Sequence, residues 1–487
     1  MPKGEEMVAS RSGARTKPLS VKPLRASQPV GGVLATLGFE RAMPLLHGSQ
    51  GCTAFGKVYF VRHFNEPIPL QTTAVDRTAA IMGADDNLTE ALRTLCSKSA
   101  PSLITVITTG LTEAAGTDIE RLVRTFRRDH PELAAATTIV PVAAPEFNGS
   151  LESGYAATLR AILDVVLPAP AFARTRPGRA PRRVNLLLSS ALAPGDVEAL
   201  CELVEAFGLE PVAIPDLGAS LDGHLDDTRF SPLSIAGTRL EALDECGDAA
   251  ATIVVGASLF ASADLLAERT GVPDFRFTHL MGLAESDRLV MALRELSGRA
   301  VPRRVQRQRR QLQDALLDTH LTLGMRRLAI AAEADLLAGV AALGEGIGME
   351  VVAAVAPDER AAGLAHLADS LPLQIGDLQD LERQAEAGGA ELLIGSGHAV
   401  ASAETLGIPI IQRGYPIWER FGLHTRSWIG YRGSRDALYD WANALAAEHE
   451  QHGGLAPYRS IFKIERSPDA GGAHRCGKSY STPRQPA

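Results

Sequence analysis

At 487 residues, 45% hydrophobic and 22% charged, the chain is too long for one compact core and too apolar for global disorder; at roughly 150 residues per domain it suggests about three. Lysine plus arginine number 49 and aspartate plus glutamate 57, a net charge of −8 that excludes a general attraction to nucleic acid or to an anionic membrane surface. Five cysteines, Cys52, Cys96, Cys201, Cys246 and Cys476, are too few, too scattered and odd in number for a disulfide framework, which points to a reducing, cytoplasmic compartment.

Residues 1–20 mix Lys3, Arg11, Arg15 and Lys17 with Glu5 and Glu6 and lack the apolar core of a signal peptide, so a disordered tail is expected. A first unit over 21–170 contains strands expected at Leu103–Thr108 and Thr138–Val142. The Pro- and Arg-rich run from Pro168 to Arg183 has no period and reads as a linker over 171–183. A second unit over 184–324 has strands expected at Val184–Ser189, Pro211–Ile214 and Thr252–Gly256. Its helix Asp196–Phe207 opens on an acidic first turn and stops at Gly208. The uncharged stretch Ala249–Ala263 is shorter than the ~20 apolar residues a spanning helix needs, so no transmembrane segment is expected. A long charged helix over Arg303–His320 precedes a third unit, 325–452, with strands expected at Leu328–Ala332, Val351–Val355, Leu392–Ile394 and Ile408–Ile411. Beyond Gly453 the apolar period is lost and an irregular tail over 453–487 is expected. The alternation of apolar and amphipathic runs is that of an α/β chain: three Rossmann-like domains, each a mostly parallel sheet flanked by helices.

The stretch that carries chemistry is His47-Gly48-Ser49-Gln50-Gly51-Cys52. Gly48 and Gly51 tolerate unusual dihedrals and leave room for a ligand beside Cys52, which could bind a metal cluster, act as a nucleophile, or be an inert small hydrophobe. Gly472–Ser479 satisfies the phosphate-loop pattern but has no strand before it and only eight residues after it; His474 and Cys476 there are too few for a metal site. Gly395-Ser396-Gly397-His398 reads as a strand-to-helix turn rather than a nucleotide site. The run of Arg303, Arg304, Arg307, Arg309 and Arg310 lacks interleaved aromatics and reads as a solvated face or a subunit contact. Cys201 and Cys246 read as packing residues, and Cys96 is given no role.

Residue for residue, the stretch from Ser27 to Pro67 resembles the nitrogenase component 1 family, in which a His-Gly-Ser-Gln-Gly-Cys segment holds an iron–sulfur cluster between two homologous subunits. The resemblance extends through Arg62-His63-Phe64, Pro145-Glu146-Phe147-Asn148-Gly149-Ser150, Ile394-Gly395-Ser396 and Gly407–Ile417, and spans about Pro23 to Gly433. The family's catalytic β chain has two more cluster cysteines, and the matching positions here are Ser27 and Gly110. A chain offering only Cys52 must borrow the rest of a four-iron cluster's ~4 ligands from a partner.

That departure, with Glu66–Ala74 downstream, resembles the cofactor-biosynthesis branch of the family. The resemblance implies an α2β2 heterotetramer with a NifE-like subunit, a 4Fe-4S cluster shared with that partner through Cys52, and His47, Gly48 and Gly51 as its surroundings. It further implies that a precursor of the iron–molybdenum cofactor, donated by NifB, is held mainly in the partner. There it receives molybdenum and homocitrate with help from the nitrogenase iron protein, before transfer to apo-nitrogenase. Cys52 is expected on the loop after the first helix, and His47 and His63 are placed either to hydrogen-bond the cluster or to serve structure. No catalytic residue is named, and neither nucleic acid nor membrane is expected as a partner. The alternatives are an oxidoreductase subunit, as a divergent nitrogenase β chain or a protochlorophyllide reductase-like subunit, and a cluster-free interaction protein.

Overall fold

The computed structural model describes residues 20–169, 175–225, 231–367, 369 and 371–453. The tails at 1–19 and 454–487, with the phosphate-loop-like run and its His474 and Cys476, lie outside the described residues.

Near-continuous Ile, Val and Leu runs form strands buried on both faces, which only parallel sheets covered by helices can satisfy. In the first unit β1 (Ala42–His47), β2 (Gln71–Thr72), β3 (Leu103–Thr108) and β4 (Thr138–Val142) pair in the order β2-β1-β3-β4. The second contains β5 (Ala180–Leu188), β6 (Glu210–Ile214), β7 (Ala249–Val255) and β8 (Asp274–Phe277), ordered β6-β5-β7-β8. The third contains β9 (Arg327–Ala331), β10 (Glu350–Ala356), β11 (Leu373–Ile375), β12 (Leu392–Gly395) and β13 (Ile410–Gln412), ordered β11-β10-β9-β12-β13. Every pairing between these strands is parallel. The α/β architecture of three Rossmann-like units is therefore as the sequence implies.

The helices that matter below are α1 (Gln28–Leu37), α2 (Gln50–Phe64), α3 (Leu151–Val166), α4 (Pro194–Ala206), α5 (Phe260–Thr270), α6 (Arg303–Leu323), α7 (Ala334–Gly346) and α8 (Gly430–Gly453). Two of them, α1 and α3, cross at van der Waals contact of their backbones. A Cβ at Gly31 would overlap the carbonyl oxygen of Leu151, and one at Gly154 the carbonyl oxygen of Gln28. Ser27 and Ser150, at the two helix starts, pair through a backbone bridge.

Two departures from the sequence reading have local causes. The strand β1 was not expected because Pro44 interrupts it, and proline is normally kept out of central strands. Here β2 pairs only with Leu45 and Leu46, so at Pro44 the strand has a neighbour on one side alone, β3. Strand β5 begins at Ala180, within the expected linker, and its register slips against β7 between Ala180 and Val184. Its charged start is held at the surface by ion pairs from Arg182 to Glu210 and from Arg183 to Glu245.

The second and third units are tied by a buried ion pair between Asp196, in the first turn of α4, and Arg413, after β13. Asp196 also accepts the amide of Trp428 at 2.7 Å, and the Arg413 guanidinium lies 5.1 Å from the centre of the Trp428 ring. Gly154→Ala forces the α1–α3 crossing apart and is expected to cost about 1–3 kcal/mol. A thermal midpoint lowered by several degrees checks it; an unchanged midpoint contradicts the close contact.

Candidate functional site

The carboxyl ends of parallel strands gather the first turns of the following helices, which makes that edge the usual place for a ligand. Cys52 follows β1, Gly110 follows β3, and Ser27 lies against Ser150, which follows β4. The sequence-aligned trio is thus brought to one edge of the first sheet.

Cys52 is not on a loop after the first helix, as expected; it is the third residue of α2, whose N-cap is the extended Ser49. The residues that hid α2 are its own: glycines at 51 and 56 and an apolar character on every side, which leave no visible period. The thiol is partly exposed, and its Sγ is 3.5 Å from Ser49 Oγ. Unbonded amides of a first helical turn favour negative charge in front of them.

The two glycines of the motif do different work. A Cβ at Gly48 would overlap the side chain of Thr109, so this glycine lets the end of β1 meet the end of β3. There Thr109 and Thr112 both donate to the carbonyl of His47, at 3.0 and 2.9 Å. Around Gly51 the only atom a Cβ would approach within 4 Å is Ser49 Oγ, at 3.8 Å, so the space beside Cys52 is open to a ligand.

His47 is fully buried, with Nδ1 2.9 Å from Thr73 Oγ1 and Nε2 without a partner. Burial pulls its pKa down to about 4 against the opposing charge of Asp85, so the imidazole is neutral at neutral pH. His63 serves structure: its Nδ1 accepts the amide of Ile417 at 2.9 Å, joining α2 to the third unit, and burial lowers its pKa to about 3.

The other two aligned positions offer no thiol. Ser27 is the half-buried N-cap of α1, and its side chain makes no cap hydrogen bond. At Gly110 the amide donates to the carboxylate of Glu146, and a Cβ would lie 2.7 Å from that oxygen. Among the described residues no group of three or more His, Cys, Asp and Glu side chains could hold a metal ion. An iron–sulfur cluster fits this edge only as a shared group for which the chain provides one thiolate.

A feature not read from the sequence surrounds that thiol. The inner face of α2 buries Thr53, Gly56, Tyr59, Phe60, His63 and Phe64, yet its outer face is also apolar. Phe55 is 59% exposed and Val58 56%, with Val61 between them and Arg62. Leu111, in the short helix Gly110–Ala114 after β3, and Phe147, in the turn after β4, are also exposed. Exposed Arg62 and half-buried Lys57 flank this apolar stripe.

The remaining motifs are structural. Cys96, in the helix Asp85–Lys98, and Cys246 are buried; burial raises the thiol pKa of both, and that of Cys246 and Cys201 to about 12. The Gly395–His398 turn spends its amides internally, with Gly397 bonded to the carbonyl of Pro416 and His398 to Ser396 Oγ. The arginine run lies on α6, where Arg309 pairs with Asp287 at 2.7 Å and Arg303, Arg304, Arg307 and Arg310 face solvent. No described helix is long and apolar enough to cross a membrane.

Gly110→Ala displaces the Glu146 carboxylate and is expected to cost about 1 kcal/mol, the net value of one hydrogen bond. The check is a double-mutant cycle on thermal stability: with Glu146→Ala present, the same substitution should cost almost nothing.

The family described as Nitrogenase component 1 type Oxidoreductase matches residues 27–446. The Nitrogenase iron-molybdenum cofactor biosynthesis protein NifN of Klebsiella pneumoniae is 43% identical over 94% of this chain and 98% of its own length. The protein of that name from Nostoc sp. is 42% identical, over 89% and 95%, and that of Mesorhizobium japonicum 41%, over 93% and 96%. The solved structure described as Nitrogenase Cp1 at pH 6.5 has the same fold, with a TM-score of 0.82 at 24% identity over 93% of this chain and 98% of that one. The chain belongs to the nitrogenase component 1 family and, within it, to the NifN proteins.

Proposed function

We propose that this chain is one half of a scaffold for building the nitrogenase iron–molybdenum cofactor, paired with a NifE-like subunit in an α2β2 heterotetramer. Cys52 gives one thiolate to a 4Fe-4S cluster at the interface, and the partner supplies the other ligands. The observation that carries this reading is a part-exposed thiol at the start of a helix whose outer residues Phe55, Val58 and Val61 are left exposed by the described residues. An interface placed there buries the apolar stripe and brings the missing ligands to the thiol in one step. The cluster, when bound, supplies one-electron transfer.

In this reading Gly51 leaves the cluster its space, Gly48 holds the strand ends together, and neutral His47 keeps positive charge away from the site. The precursor, donated by NifB, is held mainly by the partner. It receives molybdenum and homocitrate there with the nitrogenase iron protein, and is passed to apo-nitrogenase. The chain acts in the cytoplasm as a scaffold, without a catalytic residue of its own.

Iron and acid-labile sulfide, with electron paramagnetic resonance of the reduced state, test the shared ligand. The chain purified anaerobically alone should be nearly iron-free. The complex with its NifE-like partner should show a four-iron signal that disappears in Cys52→Ala; a full cluster on the chain alone overturns the reading. The interface is tested separately. Phe55→Asp combined with Val58→Asp should leave the chain folded by circular dichroism but unable to co-elute with the partner, and unchanged co-elution places the contact elsewhere.

A further inference from the structure

The three units meet at a point away from Cys52, and the meeting is made of carboxylates capping one another's helices. Helix α3 starts in the first unit and α7 in the third, and hydrogen bonds join the two starts. Ser150, the N-cap of α3, donates its hydroxyl to Glu333, the N-cap of α7, at 2.6 Å. In return Glu152, in the first turn of α3, accepts the amide of Asp335, in the first turn of α7, at 2.9 Å. Asp358, after β10, accepts the Ser150 amide and the Ser153 hydroxyl, each at 3.2 Å. Asp335 reaches the second unit, where it accepts the hydroxyl of Ser258 at 2.6 Å and its amide at 3.2 Å, in the short turn that leads into α5. Gly256 makes the last contact possible: at φ +104° it lies where a Cβ would overlap both Ser189 and Asp335.

Four carboxyl groups therefore sit within one junction. Glu152 and Asp335 are 1% and 2% exposed and Asp358 5%, while Glu333 is half-buried at the rim of the cluster. The positive groups that face them are few. Arg25, from the segment before α1, is the cation whose charge acts on Glu333. Arg413 and the Tyr415 hydroxyl line, with Glu333, a small cavity of about 30 Å³, and Tyr59 of α2 feels the Glu333 charge. Arg413 is already committed to Asp196. Two polar atoms at the junction have no partner: Glu152 Oε1 and the Tyr415 hydroxyl. An unbonded carboxylate oxygen among other carboxylates is a site that a proton can occupy, because a protonated carboxyl donates where a carboxylate cannot. The cavity has room for one or two waters to bridge the rest.

We propose that this junction is a proton-linked clasp: one proton held among the clustered carboxyls of Glu152, Glu333 and Asp335 keeps the starts of α3, α7 and α5 together, and the clasp weakens as that proton is lost. Closing takes one proton from solvent onto a carboxylate oxygen of the cluster, and opening returns it. The electrostatics run the same way. Burial raises the pKa of Glu152, Glu333 and Asp335, and that of Glu333 reaches about 8, with the neighbouring Asp358 and Asp335 charges adding to it against the Ser150 bond and Arg25. A carboxyl whose pKa is raised in the closed state holds its proton there and gives it up when exposed. Closure is thus strongest at low pH and weakens as pH rises from the ordinary value of 4.5 to about 8, above which both states are ionised and the dependence ends. The clasp stands on residues other than Cys52 and does not depend on the scaffold reading.

Hydrogen exchange of the intact complex between pH 5.5 and 8.5, corrected for the intrinsic pH dependence of exchange, reads the opening directly. Amides at the starts of α3 and α7 should show an opening constant that rises about tenfold per pH unit up to about 7.5 and levels off near 8, one proton being released per opening. In Glu333→Gln, which keeps an acceptor for Ser150 without a titrating group, the rise should shrink to less than about twofold per unit. A flat wild-type profile, or an undiminished slope in Glu333→Gln, overturns the proposal. Should that variant fail to fold, infrared spectroscopy of the unmodified complex decides: a buried protonated-carboxyl stretch present at pH 7 and bleached by pH 9 is expected, and its absence at pH 7 refutes the clasp.

Discussion

The first amides of every helix need acceptors, and a parallel sheet delivers all of its helix starts to one edge. In this chain three such edges converge, and at their junction some acceptors come from neighbouring units. Glu152 accepts an amide at the start of α7, Asp358 one at the start of α3 and Asp335 one in the turn before α5, while Glu333 accepts the Ser150 hydroxyl. The three amide acceptors serve a helix or turn start and join two units at once. The cost is desolvation of several acids at one place, offset by helix dipoles and by serine hydroxyls. Buried ion pairing does the same job once more between Asp196 and Arg413, where a single aspartate receives an amide from the third unit and a guanidinium together.

The same geometry sets apart the three positions that the family resemblance aligns. Cys52 sits on a helix start with an open glycine beside it and stays part-exposed. At Gly110 the amide donates to the Glu146 carboxylate. Ser27, the N-cap of α1, pairs through its backbone with Ser150. Of the three positions, only 52 offers a thiol.

Much of this was legible in the residues and some of it was not, for physical reasons. The buried central strands announce themselves because both faces are apolar, and so do α4 and α6, with their turn residues and charge patterns. The His-Gly-Ser-Gln-Gly-Cys run gives away the site because each residue type has a separate steric or chemical job there. What stayed hidden was whatever depends on a distant segment. Pro44 argues against a strand until β2 is seen to pair only beyond it. Asp196 reads as an ordinary first-turn acid until Arg413 arrives from 217 positions away. Glu152, Glu333, Asp335 and Asp358 show no pattern at all, since their spacing in the chain is set by sheet order and not by any local period. His63 looked like a neighbour of the motif but spends its ring nitrogen on Ile417.

Helix α2 brings the local and the distant together. Its inner face reaches the third unit through His63 and through Tyr59, whose carbonyl accepts the indole N–H of Trp418 at 3.2 Å. Its outer face presents Phe55, Val58 and Val61. A helix anchored on one side in the core and apolar on the other transmits position. Whatever packs on the outer stripe is held at a fixed distance from Cys52 by the rigidity of one helix, and is coupled through the inner stripe to the loop that carries Arg413 and Tyr415. Those two residues line the cavity that Glu333 shares. Helix α2 therefore touches both the exposed stripe beside Cys52 and, through His63 against Tyr415, the loop that lines the carboxylate junction.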